Sequence, residues 1–563
     1  MLGSNKSTVH VPSTMGKRNI FHRRLTQMCG TITPLWYKEV TPGWETTEKI
    51  AIGVTLPPLA SDTYMRCEYK IEAFAVPIRL CLAGFENWFV NRQSLAYDSD
   101  LYQPFSDFLP YISVPILREV DPPTDKLHIR RSYCATPFGS EVEVDDRGTL
   151  LNYLGIKRGI IDEEQNNGGA YPLAAYPLVG YHLIYQHWYR QALVQNECFG
   201  CVQTNDYGDP ASVFYAGILP SYHYSNQCVI TATPANSESF LLADGCSLFQ
   251  LRQRNYGYDY FANAFPTVSQ PNISVPSVNS FTISDLRAAN SLTQYLEMSQ
   301  IAGNRLVDVC KTFYGANLKD GVAQRPIFLG SARYDIMTSG VTVTASNDTT
   351  ESNNPFSDYA GGRVGNAFGS GSDFIIDHFM ANEPMLLYVL GTLVPKATYG
   401  SGVPRYLMRY TKDGGSPSDR VDYPSAMLQN TGNEPIFAHE LSYLAAWNRN
   451  TVFGYTEKYS DWVNDLSDAV GEFSANGSLH SFVLQRVFDR APQVNSAFLE
   501  IHPTDMDDIT FVDAAISRFG CMVDVDFDVR YRIPLYEESM PSLQNPAYEH
   551  GKAITVHRGG FRF

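Results

Sequence analysis

Residues 523–533 read VDVDFDVRYRI, and this stretch decides the fold class. Val523, Val525, Phe527, Val529, Tyr531 and Ile533 take one parity, and Asp524, Asp526, Asp528, Arg530 and Arg532 take the other. Only an extended strand sorts these residues, because successive side chains point to opposite faces. One face then lies on a core and the other on water or a polar partner. The same period recurs upstream. Over 50–56, Ile50, Ile52, Val54 and Leu56 share a face. Over 65–75, Met65, Cys67, Tyr69, Ile71, Ala73 and Ala75 oppose Arg66, Glu68, Lys70 and Glu72. Long strands with one wet face predict a mainly β chain arranged as an antiparallel sandwich.

Helical pieces lie between the strands. Ser284 is a good N-cap for a helix starting at Asp285, with Leu286, Ala289, Thr293 and Leu296 near one face. A second helix is expected over Tyr181–Leu193, with Ile184, Trp188 and Ala192 along one stripe. Residues 338–373, 411–425 and 196–245 read as long irregular loops. So much loop is unusual in a compact enzyme and suits a β core whose insertions pack on neighbouring copies.

The chain has 563 residues, with 18% charged residues, 13% aromatic residues and a net charge of −16. Low charge with 35 Tyr argues against disorder and against a coiled coil. No apolar run is long enough for a transmembrane helix, and the first residues lack a signal-peptide core, so synthesis and first use in a cytoplasm are expected. Ten dispersed Cys do not make a disulfide scaffold. Cys198 and Cys201 form one C-x-x-C without a second pair at zinc spacing, and they read as ordinary thiols.

Catalytic signatures are not found. Lys17 and Lys552 follow a Gly, but neither precedes Ser or Thr as a phosphate loop requires. There is no G-x-S-x-G elbow. His439-Glu440 lacks the second His of a zinc helix, and the Gly-rich run 361–371 reads as a flexible turn. Asp505, Asp507 and Asp508 lack the Gly and closing Glu of a calcium loop. Asp524, Asp526 and Asp528 stand about 7 Å apart on one strand face and could hold a cation. Arg530 and Arg532 beside them favour salt bridging instead.

Charge is unevenly spread. Residues 1–38 carry Lys6, Lys17, Arg18, Arg23, Arg24 and Lys38 with no acid, and 551–563 carry Lys552, Arg558 and Arg562 with no acid. The chain thus divides into a basic N-terminal arm (1–38), an acidic body (39–550) and a basic C-terminal tail (551–563). Basic ends beside an acidic body suit a protein whose ends alone meet a polyanion, although solvated tails often look the same. Phe21, Phe561 and Phe563 lie among these charges, where they could stack on unpaired bases.

Read in order, further segments resemble the major capsid protein family of microviruses, small icosahedral phages with single-stranded DNA. These are GTITPLWYKEVTPGW at 30–44, AFAVPIRL at 73–80, AGFENWFV at 83–90, GTLLNYLGI at 148–156 and LIYQHWYRQALV at 183–194. DYFANAFPTVSQP at 259–271, ISDLRAAN at 283–290, AQRPIFLGS at 323–331, TVFGYTEKYSDW at 451–462 and DVDFDVRYRIPLYEESMP at 524–541 continue the family order. Two departures stand out. Ile327 occupies a position where the family often has Glu. The stretch between the helix at 181–194 and Asp259 is short for members with large surface protrusions there.

The resemblance implies a viral jelly roll, an eight-stranded antiparallel β-sandwich with long insertions containing short helices. It implies a homo-oligomer of sixty copies forming an icosahedral shell in the virion, with no catalytic activity and no cofactor. The implied partners are the single-stranded DNA genome and minor viral proteins such as a DNA pilot or a small DNA-binding protein. The host receptor is left open. Charge then nominates Lys6, Lys17, Arg18, Phe21, Arg23, Arg24, Lys552, Arg558, Phe561 and Arg562 as the genome-binding residues. Two other classes compete. A secreted carbohydrate-binding or carbohydrate-cleaving β-sandwich would share the acidic, Tyr-rich composition. A free DNA-binding protein is disfavoured, because the acidic body repels phosphate wherever the arms do not reach.

Overall fold

The computed structural model describes residues 6–11, 14–56, 66–81, 85, 111–118, 127–129, 134–135, 141–142, 150–155, 170–174, 176–199, 229–231, 244, 246, 250–257, 259–266, 283–302, 305–343, 363–408, 433–442, 451–457, 460–475, 477–488, 492–502, 521–534 and 552–557. Eight strands make its central sheet: β1 (Thr14–Gln27), β2 (Thr33–Val40), β3 (Glu45–Thr55), β4 (Cys67–Pro77), β5 (Ile327–Val343), β6 (Arg363–Met380), β7 (Met385–Pro395) and β8 (Cys521–Pro534). Every pairing among them is antiparallel. The order across the sheet is β1-β8-β3-β6-β5-β4-β7-β2. The paired strands are first with eighth, second with seventh, third with sixth and fourth with fifth. A long hairpin wrapped round a core gives this order, which is the jelly roll.

The sheet curls until its edge strands meet, and side chains close the seam where no ladder does. Gln27 on β1 donates to Thr31 O at 2.6 Å and to Gly391 O on β7 at 2.8 Å, and its Oε1 accepts from Tyr69 at 2.7 Å. Arg23 on β1 donates to Leu35 O on β2 at 2.9 Å. Gly30 N donates to Leu393 O at 2.9 Å. These bonds satisfy edge groups that would otherwise be open to another strand.

Parity assigns the interior as the sequence indicates. Val525, Phe527 and Val529 of β8 are fully buried, and Ile50, Ile52 and Val54 of β3 join them. Residues 50–55 and 67–75 of the two other alternating segments lie in β3 and β4. β7 is buried along its whole length, so its run MLLYVLGTLVP carries no alternation. Its outward residues Leu386, Tyr388 and Leu390, with Phe74 and Val76 of β4, lie under helix α1 (Tyr176–Ile184) in a second core. Tyr388 donates to Pro177 O at 2.6 Å, and Tyr181 donates to Ile32 O at 2.7 Å, docking the helix onto the barrel. The insertion between β7 and β8 meets Phe261 of the long β4–β5 insertion in a third, aromatic cluster with Tyr399, Phe453 and Phe498.

Several expectations are corrected. Residues 338–343 end β5 and 363–373 begin β6, so much of the stretch read as loop is barrel strand. The Gly-rich run at 361–371 is likewise strand from Arg363 onward. Glycine is needed there because a methyl group on Gly371 would overlap the Tyr334 ring. The helix expected over 181–193 starts at Tyr176, turns π-helical over Tyr185–Tyr189 and ends at Arg190. Arg305 donates to the carbonyls of His187, Gln186 and Arg190, which satisfies that helix end. Helix α2 spans Ile283–Ala302, starting ahead of the expected Ser284 cap. Residues 14–38, expected to belong to a basic arm, contain barrel strands β1 and most of β2. The loop expected at 411–425 lies outside the described residues, as does most of 196–245.

Candidate nucleic-acid interface

The barrel has two unlike outer faces. The face of β2, β7 and β4 is covered by α1, whereas the β1-β8-β3-β6 face carries exposed charges. Register explains which charges reach that surface. Arg18 pairs in register with Arg530, and Arg24 pairs with Asp524. Even-numbered β1 residues therefore stand beside the outward acids of β8.

Those acids take up the strand's cations. Arg18 grips Asp528 through two parallel hydrogen bonds of 2.7 and 2.8 Å, which hold the carboxyl below the usual carboxylate range. Arg24 meets Asp524 at 3.3 Å. Asp528 also lies 4.0 Å from Arg530, and Arg532 lies 3.5 Å from Glu45. The expected salt bridging around these aspartates is present, with β1 supplying the shortest pairs.

Odd-numbered β1 residues turn inward from Phe21 to Gln27. Phe21 stacks on Phe527 with centroids 4.9 Å apart and planes 15° apart, so its ring packs on the core. Arg23 bonds the carbonyls of Leu35 and Tyr153, and burial lowers its pKa. Lys17 is exposed at the mouth of the barrel. There, burial together with the Lys17 charge lowers the Lys38 ammonium.

The chain's two basic ends are brought together. Lys6–Val11 pairs antiparallel with Lys552–His557, with Lys6 opposite His557 and Val11 opposite Lys552. Sequence reading placed the charges but not this ribbon. The consecutive β-branched residues Thr8 and Val9, and Ile554, Thr555 and Val556, are the signal available in the sequence. Arg558, Phe561 and Arg562 lie outside the described residues.

A cleft that sequence reading also missed opens at one end of the bare face, lined by Glu45, Phe374, His378, Arg530 and Arg532. His378 Nδ1 lies 3.0 Å from Glu45, and that hydrogen bond raises the imidazole pKa and lowers the carboxyl's. Phe374 is 57% exposed, with the Lys49 ammonium 5.7 Å from its ring. A bulge in β6 between Phe374 and Phe379 places these side chains, and no alternation rule could have located it. The cleft mixes signs and is not a cationic groove.

With this geometry established, comparisons supply the family. The profile of the phage F capsid protein, "Capsid protein (F protein)", matches residues 164–543. Capsid protein VP1 of Chlamydia phage 1 is 26% identical over 293 residues, covering 48% of this chain and 44% of that protein. Capsid protein VP1 of Bdellovibrio phage phiMH2K is 26% identical over 229 residues, covering 40% of each chain. Capsid protein VP1 of Spiroplasma virus 4 is 23% identical over 269 residues, covering 47% of this chain and 46% of that protein. The matched segments thus span under half the length of each relative. The family profile covers well over half of the present chain, and the barrel has the jelly-roll strand order that the resemblance implied. This chain belongs to the phage F capsid protein family.

Proposed function

We propose that the chain is the major shell subunit of a microvirus, assembling into an icosahedral capsid of sixty copies around a single-stranded DNA genome. The observation that carries this reading is the jelly-roll strand order in a member of the phage F capsid family. A barrel closed by its own side chains gives each subunit a rigid unit, and the two long insertions supply surface for contacts with neighbours. The work is structural, without catalytic turnover. The same family membership speaks against a carbohydrate-active β-sandwich. Its site of action is the virion, with assembly in the bacterial cytoplasm and with minor viral proteins as further partners.

The genome contact is assigned to the paired basic ends, Lys6, Lys552, Arg558 and Arg562, with Phe561 as a stacking ring. Phosphate contacts of this kind need no base sequence, which suits packaging of any single strand. Arg18 and Arg24 contribute less, because Asp528 and Asp524 already take their charge. Lys17, exposed on β1, would join the ends, while Phe21 and Arg23 serve the barrel.

Electron microscopy and particle sizing of the purified full chain test the shell reading. Closed particles of megadalton size are expected, and a monodisperse monomer at high concentration would count against it. Replacing Lys6, Lys552, Arg558 and Arg562 by Gln tests the genome contact. Shells should still form, with lower DNA content and weaker retention in salt. Unchanged DNA content in intact particles would remove the ends from genome binding and leave them as assembly arms.

A further inference from the structure

Inside the barrel, one strand carries a line of polar atoms that no described residue satisfies. Thr46 and Glu48 of β3 point inward with Ile50, Ile52 and Val54. Glu48 is fully buried, opposite Val529 of β8 and Ile376 of β6, both also fully buried. Among the described residues, neither Glu48 oxygen has a hydrogen-bond partner, and neither do Thr46 Oγ1 and Trp44 Nε1. The mouth of the barrel at this end is closed by Trp44, edge-on to Tyr531 at 5.6 Å, with the Lys38 ammonium 4.1 Å from the Tyr531 ring.

We propose that Glu48 is carried inside the barrel as a neutral carboxylic acid and acts as a proton switch. Losing that proton loosens the Trp44–Tyr531 end and makes the subunit sensitive to alkali. An isolated carboxylate has no place in such a site, because burial without a partner penalises the charged form heavily. Burial alone pushes this carboxyl from its ordinary 4.5 up to about 8. The titratable groups described at this end of the barrel are these. β8 contributes Tyr531, whose phenol is raised by burial and then by Glu48. β2 contributes Lys38, and β1 contributes Lys17 beside it. On β6, Ile376 holds the facing position, while Asp373, Asp377 and His378 are exposed. On β3 itself, Lys49 is exposed and Glu45 bonds His378. Among the described residues, no cation lies within ion-pair distance of Glu48.

The sign of the effect follows from proton counting. The folded state keeps a proton that the unfolded state releases, so the stability is present below about 4.5 and is lost as pH rises towards about 8. One proton of difference raises the unfolding equilibrium about tenfold per pH unit in that window. The test is denaturant unfolding of the full chain from about pH 5 to about pH 9, comparing the wild type with Glu48→Gln and Glu48→Leu. Either neutral variant should remove one proton's worth of slope. Parallel slopes in wild type and variant would overturn the proposal. Should neither variant fold, infrared spectra of the wild-type chain with isotope-labelled glutamate decide. A protonated glutamate band at neutral pH that disappears in alkali, in step with loss of stability, supports the switch. Absence of that band at neutral pH would overturn it.

Discussion

Phe527→Ala should remove the centre of the barrel. The side chain has no exposed surface, stacks on Phe21 of β1 at 4.9 Å, and reaches Trp36 of β2 at 6.3 Å with a 35° tilt. One ring thus bridges the two edge strands from the inside, beside the seam that Arg23 and Gln27 close. Deleting a buried aromatic costs about 3–5 kcal/mol, partly from the transferred surface and partly from the cavity left behind. The stacked pair accounts for ~0.5–1.5 kcal/mol beyond area, overlapping that range. A domain stable by ~5–15 kcal/mol loses roughly a fifth of its stability or more. Urea unfolding followed by tryptophan fluorescence reads this directly, because Trp36 and Trp44 line the same core. Phe527→Leu is the control and should cost under half as much. Soluble particle yield should fall in the same order. A Phe527→Ala variant within about 1 kcal/mol of wild type would refute the register on which the interior assignment stands. So would an Asp526→Ala variant that costs as much, since Asp526 is placed on the outer face.

Three further outcomes follow from single contacts. Gly371→Val should destabilise by about 1–3 kcal/mol through overlap with Tyr334, while Ser370→Val, on the exposed parity, should be near neutral in the same melts. Arg23→Gln should lower stability by about 1–3 kcal/mol by leaving seam carbonyls unpaired, whereas Arg24→Gln, in an exposed pair, should change melting little. Arg254→Met should cost about 3–5 kcal/mol, because it strands Glu72 without the two hydrogen bonds of 2.8 and 2.9 Å that hold it. Burial raises the Glu72 carboxyl, but Arg254 and Tyr189 together bring it below its ordinary value. Its contribution is therefore full above about 4.5 and is lost as pH falls through the lowered value, and unfolding of Arg254→Met should lack that acid slope.

The parts of the fold legible in the sequence were those with one wet face. β8 and β4 announce themselves by parity, and so does the later part of β3. β7 does not, because α1 covers its outer side and leaves no polar parity to read. Residues 363–373 of β6 read as loop in the sequence because Gly369 and Gly371 stand where the strand runs against Asp335 and Tyr334 of β5. Packing chose those glycines, and composition alone cannot separate that reason from a turn. Glu48 sat in plain view beside Ile50 and Ile52, yet one acid next to a wet-faced strand reads as surface until the parity is carried back to it. The family emerged from short ordered segments rather than from any physical pattern.

Net charge describes composition, whereas available charge depends on parity and pairing. Lys17, Arg18, Arg23 and Arg24 look equivalent in a charge count, yet β1 separates them. Arg18 and Arg24 face outward into Asp528 and Asp524, and Arg23 turns inward to close the seam. The acids of β8 therefore act locally on the basic strand beside them. An exposed pair of this kind adds little stability, but it cancels the field that a phosphate would feel beyond roughly a Debye length of about 8 Å. A genome contact built on the barrel face would have to break those pairs. One built on the ribbon of Lys6–Val11 and Lys552–His557 meets no acid within the ribbon itself. The pairing of the two termini brings both basic ends into one ribbon, and the proposed DNA contact is assigned to that ribbon.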